Sequence, residues 1–222
     1  MREHSRQLGW ISRGVAWGML CAGAAICPAQ GKGVPAVPIE GGSQDANYHG
    51  GLVNPPLPKP SFTLTDTSGA AFDFRGSTDG YVTLLYFGFS HCMTACPMQM
   101  NYLAGALRTL PMEVRSQVKV VFVTTDPDRD NPRLIRTWLS HFDRTFIGLT
   151  GSQTEIQQAE TAAKMPRTIK PDEHAAFTVA YTKDNRGHVI YPSGVTQADW
   201  IHDLPRLVNE TWTTADSSHP RP

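Results

Sequence analysis

The sequence predicts an α/β fold with a mixed central sheet, helices on both faces and an N-terminal β-hairpin extension. Two uninterrupted apolar runs, residues 81–87 and 118–124, are typical of strands that are buried on both faces. Stretches with helical spacing of apolar residues separate the strands, and a strand–turn–strand pattern around residues 184–187 comes near the end. Strands that alternate with helices and finish in a hairpin favour a mixed sheet covered on both sides.

The other elements are assigned from turn residues, capping residues and periodicity. Pro132 suits the first turn of a helix that Asp130 or Asn131 caps, because the first turn leaves its N–H groups unbonded. In chain order, the predicted elements are a hairpin over residues 62–66 and 71–74, a strand over 81–87, a helix over 98–110, a strand over 118–124, a helix over 132–142, a strand over 146–149, a helix over 152–163, a hairpin over 176–182 and 188–191, and a helix over 197–209.

Length and charge limit the class of protein. The chain has 222 residues, which suits one ordinary domain with extensions. Hydrophobic residues form 40% of the chain and charged residues 18%, so neither a charge-rich disordered protein nor an all-apolar membrane protein fits. Lys and Arg together number 20, as do Asp and Glu. No nucleic-acid partner is expected, because such proteins carry a clear excess of basic residues.

Residues 1–29 have the layout of a secretory signal peptide. A leader with three arginines precedes an uncharged stretch over residues 14–26, and small residues around Ala29 suit a cleavage site. The uncharged stretch is shorter than the roughly 20 residues that a membrane-spanning helix needs. We therefore expect an exported, periplasmic protein. It would be soluble, or tethered to the inner membrane if residues 1–29 persist as a marginal membrane anchor.

The rest of the chain divides into three segments. Residues 30–60 contain six prolines and six glycines without apolar periodicity, which predicts an extended linker. His49 is expected to be a solvated residue of that linker. One domain follows over residues 61–210, and residues 211–222 are expected to form a flexible tail.

Two cysteines, Cys92 and Cys96, carry the main chemical signal. They follow the first buried strand, where a loop leads into a helix. Backbone N–H groups and the helix dipole at such a position favour a thiolate. A disulfide between them would close almost no loop, so it would add little stability through chain entropy. We interpret the pair as chemically active, able to bind one ion or to form a redox-active disulfide. Two inert buried cysteines are the alternative.

The residue types narrow the choice of metal. Thiolates favour Cu(I) or zinc, and an imidazole ligand adds tolerance for Cu(II). A structural zinc site usually needs four cysteine or histidine ligands. One cysteine pair with one nitrogen would be an incomplete zinc site, but it suits copper at low coordination number. Met93, Met98 and Met100 offer thioethers near the pair, although packing on a helix is the commoner role of such methionines.

Three sequence features together identify a family resemblance. They are YFGFSHCMTACP at residues 86–97, VTTDPDRD at residues 123–130, and His174 shortly before a strand–turn–strand. With these features the chain resembles the Sco/SenC family of copper-binding, thioredoxin-like proteins, over roughly residues 61–209. The resemblance implies a thioredoxin-like fold. In that family both cysteines and one distant histidine bind copper, which implies Cys92, Cys96 and His174 as ligands of Cu(I) or Cu(II).

The chain departs from the family's pattern near two of these ligands. The family commonly has a Pro-Asp pair after the first cysteine, where this chain has Met93 and Thr94. The residue before the histidine is Glu173, where aspartate is often found. Both differences bear on metal affinity and partner choice more than on the fold.

Other histidines compete with His174 for the role of third ligand. His91 adjoins Cys92, but continued strand geometry would turn these adjacent side chains apart. His141, His188 and His202 are interpreted as surface residues.

Asp126 is the further candidate for the site. It follows the second central strand, on the same side of the sheet as the cysteine loop. From outside the coordination sphere, its carboxylate could tune the charge of a cysteine or imidazole ligand. The alternative for this segment is structural, as a strand exit followed by a helix cap.

Two functions fit these residues. A metallochaperone would hold copper and pass it by ligand exchange to a copper-site apo-protein, such as the cytochrome c oxidase subunit that the family resemblance implies. A thiol-disulfide oxidoreductase would keep the copper-site cysteines of a partner reduced, and would itself need a thiol-disulfide reductant. The Cys-x-x-x-Cys spacing differs from the Cys-x-x-Cys of thioredoxin, and no proline immediately precedes the strand at Ala176. Both points favour the metallochaperone over an enzyme. We expect a monomer.

Overall fold

The computed structural model describes residues 47–170 and 176–212, which form alternating strands and helices. In chain order the elements are β1 (Gly51–Pro58), β2 (Thr63–Asp66), β3 (Ala71–Asp73), α1 (Phe74–Ser77), β4 (Val82–Gly88), α2 (Ala95–Thr109), α3 (Met112–Arg115), β5 (Val118–Thr124), α4 (Pro132–Ser140), β6 (Ile147–Thr150), α5 (Gln153–Ala162), β7 (Phe177–Tyr181), β8 (Arg186–Pro192) and α6 (Gln197–Asn209).

The strands of this described part form an eight-stranded sheet in the order β1-β8-β7-β4-β5-β6-β2-β3. The neighbours β4, β5 and β6 are parallel, and the other pairings are antiparallel. Tyr86 on β4 lies opposite Thr178 on β7, and Phe177 lies opposite Pro192 on β8. The ends of β4, β5 and β8 and the start of β7 therefore meet at one edge of the sheet.

The two faces of the sheet carry separate hydrophobic cores. Leu84 and Tyr86 of β4 belong to one core, whereas Leu85 and Phe87 belong to the other, as the two-residue period of a strand requires. Helices α2, α3, α4 and α6 supply side chains to the first core. Helices α1 and α5 supply side chains to the second. The predicted mixed sheet with helices on both faces is confirmed.

Most predicted elements of residues 61–210 are present with small differences in their ends. The predicted hairpin is formed by β2 and β3, but β2 also pairs with β6, so the hairpin is the far end of the main sheet. The second helix begins at Ala95, three residues before the predicted start. Helices α1 and α3 were not predicted, because four residues are too few to show an apolar period.

The prediction of an extended linker over residues 30–60 is wrong for residues 51–58. Gly51–Pro58 form β1, which pairs with β8 at the edge of the sheet. Tyr48 and Lys59, on either side of this strand, are only 3% and 1% exposed. Prolines are tolerated because one side of an edge strand makes no ladder hydrogen bonds. The domain therefore begins earlier than residue 61.

Other expectations lie outside the described residues. These are the signal peptide or anchor of residues 1–29, His174, and residues 213–222 of the predicted tail. Trp212 is described, and its ring stacks on that of His188 with 3.9 Å between centroids, so the first residues of the predicted tail belong to the folded domain. None of the described helices combines the length and the apolarity needed to cross a lipid bilayer.

Candidate metal centre

The two cysteines lie at the edge of the sheet where β4, β5 and β8 end and β7 begins, which we call the cysteine edge. Strand β4 ends at Gly88, Cys92 lies in the following loop, and Cys96 is the second residue of α2. The Cys92 thiol is thus held in front of a helix N-terminus, where unbonded backbone N–H groups point outward. Both cysteines are present as thiols.

Gly88 lets the second cysteine approach the end of β4. A Cβ atom at this position would lie 2.8 Å from Sγ of Cys96 and 2.7 Å from the Tyr86 ring. Both distances are shorter than real Cβ contacts, so any larger residue would displace the sulfur or the ring. Glycine is therefore required here by close packing.

Cys96 is fully buried between β4 and α2. The hydroxyl of Tyr86 donates a hydrogen bond to its sulfur at 3.6 Å. Burial, together with the nearby Cys92, raises the pKa of the Cys96 thiol to about 12, although hydrogen bonds from the Phe89 backbone and Tyr86 act in the opposite direction. The isolated thiol therefore stays protonated at neutral pH.

Cys92 is half-buried and has the opposite tendency. Its sulfur accepts a hydrogen bond from the backbone N–H of Cys96 at 3.5 Å. Partial burial raises the pKa of the Cys92 thiol, but hydrogen bonds from the backbones of Cys96 and Thr94 outweigh that effect, so the net pKa is lowered. The pair consists of an accessible sulfur that ionises readily and a buried sulfur that does not.

Asp130 is the carboxylate that holds the cysteine loop. It is fully buried, and it accepts hydrogen bonds from the backbone N–H of Ser90 at 2.8 Å, from the Ser90 hydroxyl, and from the Thr124 hydroxyl at 2.7 Å. Nδ1 of His91 lies 3.4 Å from the same carboxylate. These bonds tie the loop between β4 and α2 to the end of β5.

Asp126, the carboxylate chosen from the sequence, makes different contacts. Its side chain forms an ion pair with Arg129, and its backbone N–H donates to the Thr124 hydroxyl at 3.0 Å. Helix α4 is capped by the side chain of Asn131, which accepts from the N–H of Leu134. Asp130 is thus not needed as a cap and contacts the cysteine loop instead. The sequence signal available for Asp130 was its place in the D-P-D-R-D segment shortly after β5.

Three histidines interpreted as solvated have defined partners. His188 is buried and bonds through Nε2 to Asp184 at 2.8 Å. The ring of His49 stacks on that of His202 with 4.0 Å between centroids. The interpretation of His188 as a surface residue is therefore wrong. His49 is exposed, as expected, but it packs against α6 and is not part of a free linker. Asp184 is only four residues before His188, whereas His49 and His202 lie far apart in sequence, so no local pattern reveals the contact between these two rings.

The three methionines near the pair differ in burial, and Met98 on α2 is partly buried. Met100 is fully buried in the core, which leaves packing as its role. Met93, directly after Cys92, is 92% exposed. A flexible thioether on the open side of the accessible cysteine is thus available to a soft ion or to a partner surface.

The chain matches known proteins over most of the described residues. The SCO1/SenC family model matches residues 54–209. The mitochondrial protein SCO1 of Saccharomyces cerevisiae is 31% identical over 156 residues, which cover 66% of this chain and 52% of that protein. The chain spans between 38% and 60% of the length of the first curated relatives that it matches.

Solved structures agree with the fold. The solution structure of apo Sco1 from Thermus thermophilus is similar with a TM-score of 0.63 at 28% identity, covering 72% of this chain and 97% of that one. The structure of Bradyrhizobium japonicum ScoI with copper bound is similar with a TM-score of 0.58 at 29% identity, covering 68% and 99%.

Proposed function

This chain belongs to the SCO1/SenC family, and from that premise we propose that it is a copper metallochaperone. In this proposal Cys92, Cys96 and His174 hold one copper ion. The ion passes by ligand exchange to a copper-site apo-protein such as a cytochrome c oxidase subunit. The observation that carries the proposal is the position of two free thiols at the start of α2, with Cys92 partly exposed and Cys96 buried beside it.

The thiol pair suits copper better than a harder ion. Two thiolates favour Cu(I), and an added imidazole extends the site to Cu(II). A bound cation also stabilises the thiolate form, so the Cys96 proton is released when the metal enters. Copper loading is therefore expected to strengthen as pH rises through the range in which both thiols lose their protons.

The position of β7 supports His174 as the third ligand. Strand β7 begins at Phe177 on the cysteine edge, and His174 precedes it by three residues. Three residues of extended chain span at most about 11 Å. The proposal needs only this short connection to bring the imidazole to the two sulfurs.

Release of the ion is favoured by the exposure of one side of the pair. Cys92 is half-buried and Met93 is 92% exposed, whereas Cys96 is enclosed. An incoming ligand of the acceptor can therefore reach the metal on the Cys92 side while Cys96 still holds it. Asp126 is retained in the proposal as a charge beside the site, and Asp130 as the residue that positions the loop.

A thiol-disulfide role is the second candidate, and the difference in pKa between the two thiols favours it. The Cys92 thiolate would attack a partner's disulfide, forming a mixed disulfide and releasing one partner thiolate. Cys96, once deprotonated, would then attack Cys92, releasing the second partner thiol and leaving an intramolecular disulfide. The two electrons come from the dithiol, so a separate thiol reductant must restore it.

The cellular setting follows from the same proposal. Residues 1–29 would export the chain to the periplasm, where they are removed or remain as a marginal anchor to the inner membrane. Residues 61–210, extended by β1, would form the copper-binding domain, and the domain would act as a monomer.

The test is copper binding by the reduced full chain. Cu(I) affinity is measured by competition with a chromophoric ligand, and Cu(II) binding through its thiolate charge-transfer absorption. His174→Ala is expected to lose tight Cu(II) binding while retaining Cu(I) on the dithiol, and His141→Ala, on an exposed helix end, serves as the control. Unchanged Cu(II) absorption in His174→Ala would exclude His174 as the ligand. Catalytic turnover of a disulfide substrate without tight copper binding would favour the second candidate.

A further inference from the structure

A second group of metal-binding side chains lies where the residues before β1 pack against α6. The rings of His49 and His202 stack with 4.0 Å between centroids and 14° between planes. One ring nitrogen of each and a carboxylate oxygen of Asp203 lie within 4.8 Å of one another. These residues come from two segments about 150 positions apart, so the fold alone brings them together.

Hydrogen bonds hold the group in place from behind. Asp203 is fully buried, and its carboxylate accepts from the backbone N–H groups of His49 at 2.9 Å and Gly50 at 3.2 Å. It also accepts from the Tyr191 hydroxyl at 2.8 Å. The carboxylate and the backbone of His49 are thus positioned by bonds that do not involve either imidazole ring.

Each imidazole is paired with a carboxylate. Nδ1 of His49 lies 2.6 Å from Asp199, and Nδ1 of His202 lies 2.6 Å from Asp203. A histidine bonded in this way to a carboxylate is oriented and made more basic, which is the usual arrangement around metal-bound imidazoles. The pairs therefore resemble a ligand set together with its supporting contacts.

The charge of the group favours a cation. Two carboxylates lie beside two imidazoles, and among the residues that the structure describes no lysine or arginine forms an ion pair with Asp199 or Asp203. Hydrogen bonds from the His49 and Gly50 backbones and from Tyr191 compensate the burial of Asp203, but they do not neutralise its charge. A divalent ion would balance both carboxylates at once.

From these observations we propose that His49, His202 and Asp203 bind one divalent transition-metal ion, with Cu(II) held most strongly. Two imidazoles and a carboxylate are borderline ligands, and for such sets affinity rises along the first-row series to copper and falls again at zinc. Two ligand atoms bound at about 2 Å from one ion lie at most about 4 Å apart. The three ligand atoms already lie within 4.8 Å of one another, so small rotations of the rings are enough to bring them to that separation. The ion takes the place of the proton shared between His202 and Asp203, whereas the contact of His49 with Asp199 remains as a supporting contact.

The site is open to solvent on one side. A cleft of about 520 Å³ lies beside the group, lined by Tyr48, His49, Pro192, Gly194, Val195 and Asp199. The His49 side chain is 46% exposed. An ion can thus reach the imidazoles without unfolding the segment, and water can complete its coordination.

The proposed site shares no ligand with the dithiol, although a chain of contacts connects their surroundings. Gln99, one turn after Cys96, donates hydrogen bonds to the backbone carbonyls of Ser193 and Val195. Val195 lines the cleft beside His49. The chain therefore offers soft ligands for Cu(I) and borderline ligands for a divalent ion, and the loop of Ser193 and Val195 contacts the surroundings of both.

The experiment removes the dithiol so that the second site is measured alone. The full chain carrying Cys92→Ser and Cys96→Ser is titrated with Cu(II), followed by calorimetry and by electron paramagnetic resonance. We expect one ion to show superhyperfine coupling to two nitrogens. Adding His49→Ala and His202→Ala should lower the stoichiometry by one, whereas adding His141→Ala should not change it.

Each outcome decides the proposal. Absence of a two-nitrogen Cu(II) signal in the chain that lacks Cys92 and Cys96 would overturn it, and so would a stoichiometry that the paired alanine substitutions leave unchanged. If circular dichroism shows that the paired substitutions unfold the chain, the single variant His202→Asn is used. That variant should weaken Cu(II) at least tenfold and remove one coupled nitrogen, and unchanged binding would contradict the proposal. None of these results depends on copper at the dithiol.

Discussion

The carboxylate of Asp130 bonds to both the backbone N–H and the hydroxyl of Ser90, a residue 40 positions earlier in the chain. Ser90 lies in the loop between β4 and Cys92, and Asp130 lies between β5 and α4. The shape of the cysteine loop is therefore set by a buried charge on the neighbouring strand connection. A substitution of Asp130 should therefore also change the conformation of the cysteine loop.

Replacing Asp130 by asparagine tests that coupling. The amide keeps the size of the side chain but loses the charge that three hydrogen bonds share, so the free energy of unfolding should fall by about 1–3 kcal/mol. Urea denaturation measures the loss, and the thiol reaction rate of Cys92 should change in the same variant. Asp128→Asn, at an exposed position of the same segment, should change neither quantity. Identical behaviour of the two variants would contradict the assigned role.

The two thiols should differ in reactivity with iodoacetamide. The pKa of Cys92 is lowered and that of Cys96 is raised to about 12, and the thiolate is the reacting form. At neutral pH the reduced chain should be modified at Cys92 before Cys96, as read by peptide mass spectrometry. In Cys96→Ser the rate should reach half its maximum below the pH of an ordinary thiol. In Cys92→Ser the Cys96 thiol should stay slow until strongly alkaline pH. Equal rates for both single variants would contradict the asymmetry.

Gly88→Ala should disturb the site through packing alone. The new methyl group would overlap the Cys96 sulfur and the Tyr86 ring, and overpacking of this kind costs about 1–3 kcal/mol. Gly194→Ala is a matched control, because a Cβ atom there meets nothing within 4 Å. Thermal unfolding and Cu(I) affinity should both fall for Gly88→Ala and stay near wild type for Gly194→Ala. Equal stability of the two variants would show that the close approach is unimportant.

Buried Lys59 should make stability depend on alkaline pH. Burial lowers the pKa of this lysine from 10.5 to about 8 in the folded chain. Between these two values the unfolded chain binds more protons than the folded chain, so the free energy of unfolding rises with pH. A shift of this size corresponds to roughly 3 kcal/mol across the interval, before screening by solvent reduces it. Below about pH 8 the Lys59 ammonium group is charged in both states, and its burial lowers the free energy of unfolding by a constant amount.

Comparison with Lys59→Met isolates this effect from other titrating groups. The wild-type stability should rise relative to the variant between about pH 8 and pH 10.5, as followed by urea denaturation at several pH values. Lys164→Met, which removes an exposed lysine, should give a curve parallel to wild type. Parallel curves for Lys59→Met and wild type would mean that this ammonium group is not perturbed by folding.

The central strands and the cysteine loop could be predicted because their signals are local. An uninterrupted apolar run predicts β4, and a pair of cysteines directly after it predicts the reactive position at the helix start. Periodicity predicted α6 with its observed bounds, residues 197–209. Each of these features is contained in a window of about ten residues.

The features that the sequence did not reveal depend on pairing between distant segments. β1 contains prolines that argue against a strand, yet its outer side needs no partner, so pairing with β8 is sufficient. Asp130 was interpreted mainly as a helix cap, whereas Asn131 performs that role. The contact of His49 with His202 joins the start of the domain to its last helix. None of these contacts can be predicted from a single short segment of the sequence.

The strand before residue 61 has a practical consequence for fragments of this protein. One side of β8 is covered by β7 and the other by β1. A fragment that started at Ser61 would lack β1, so one side of β8 would be unpaired. Its free N–H and C=O groups could then pair with a strand of another molecule. It would also lack the backbone N–H groups of His49 and Gly50, which donate hydrogen bonds to the Asp203 carboxylate. Such shortened chains should self-associate, whereas those beginning ahead of Asn47 should remain dispersed.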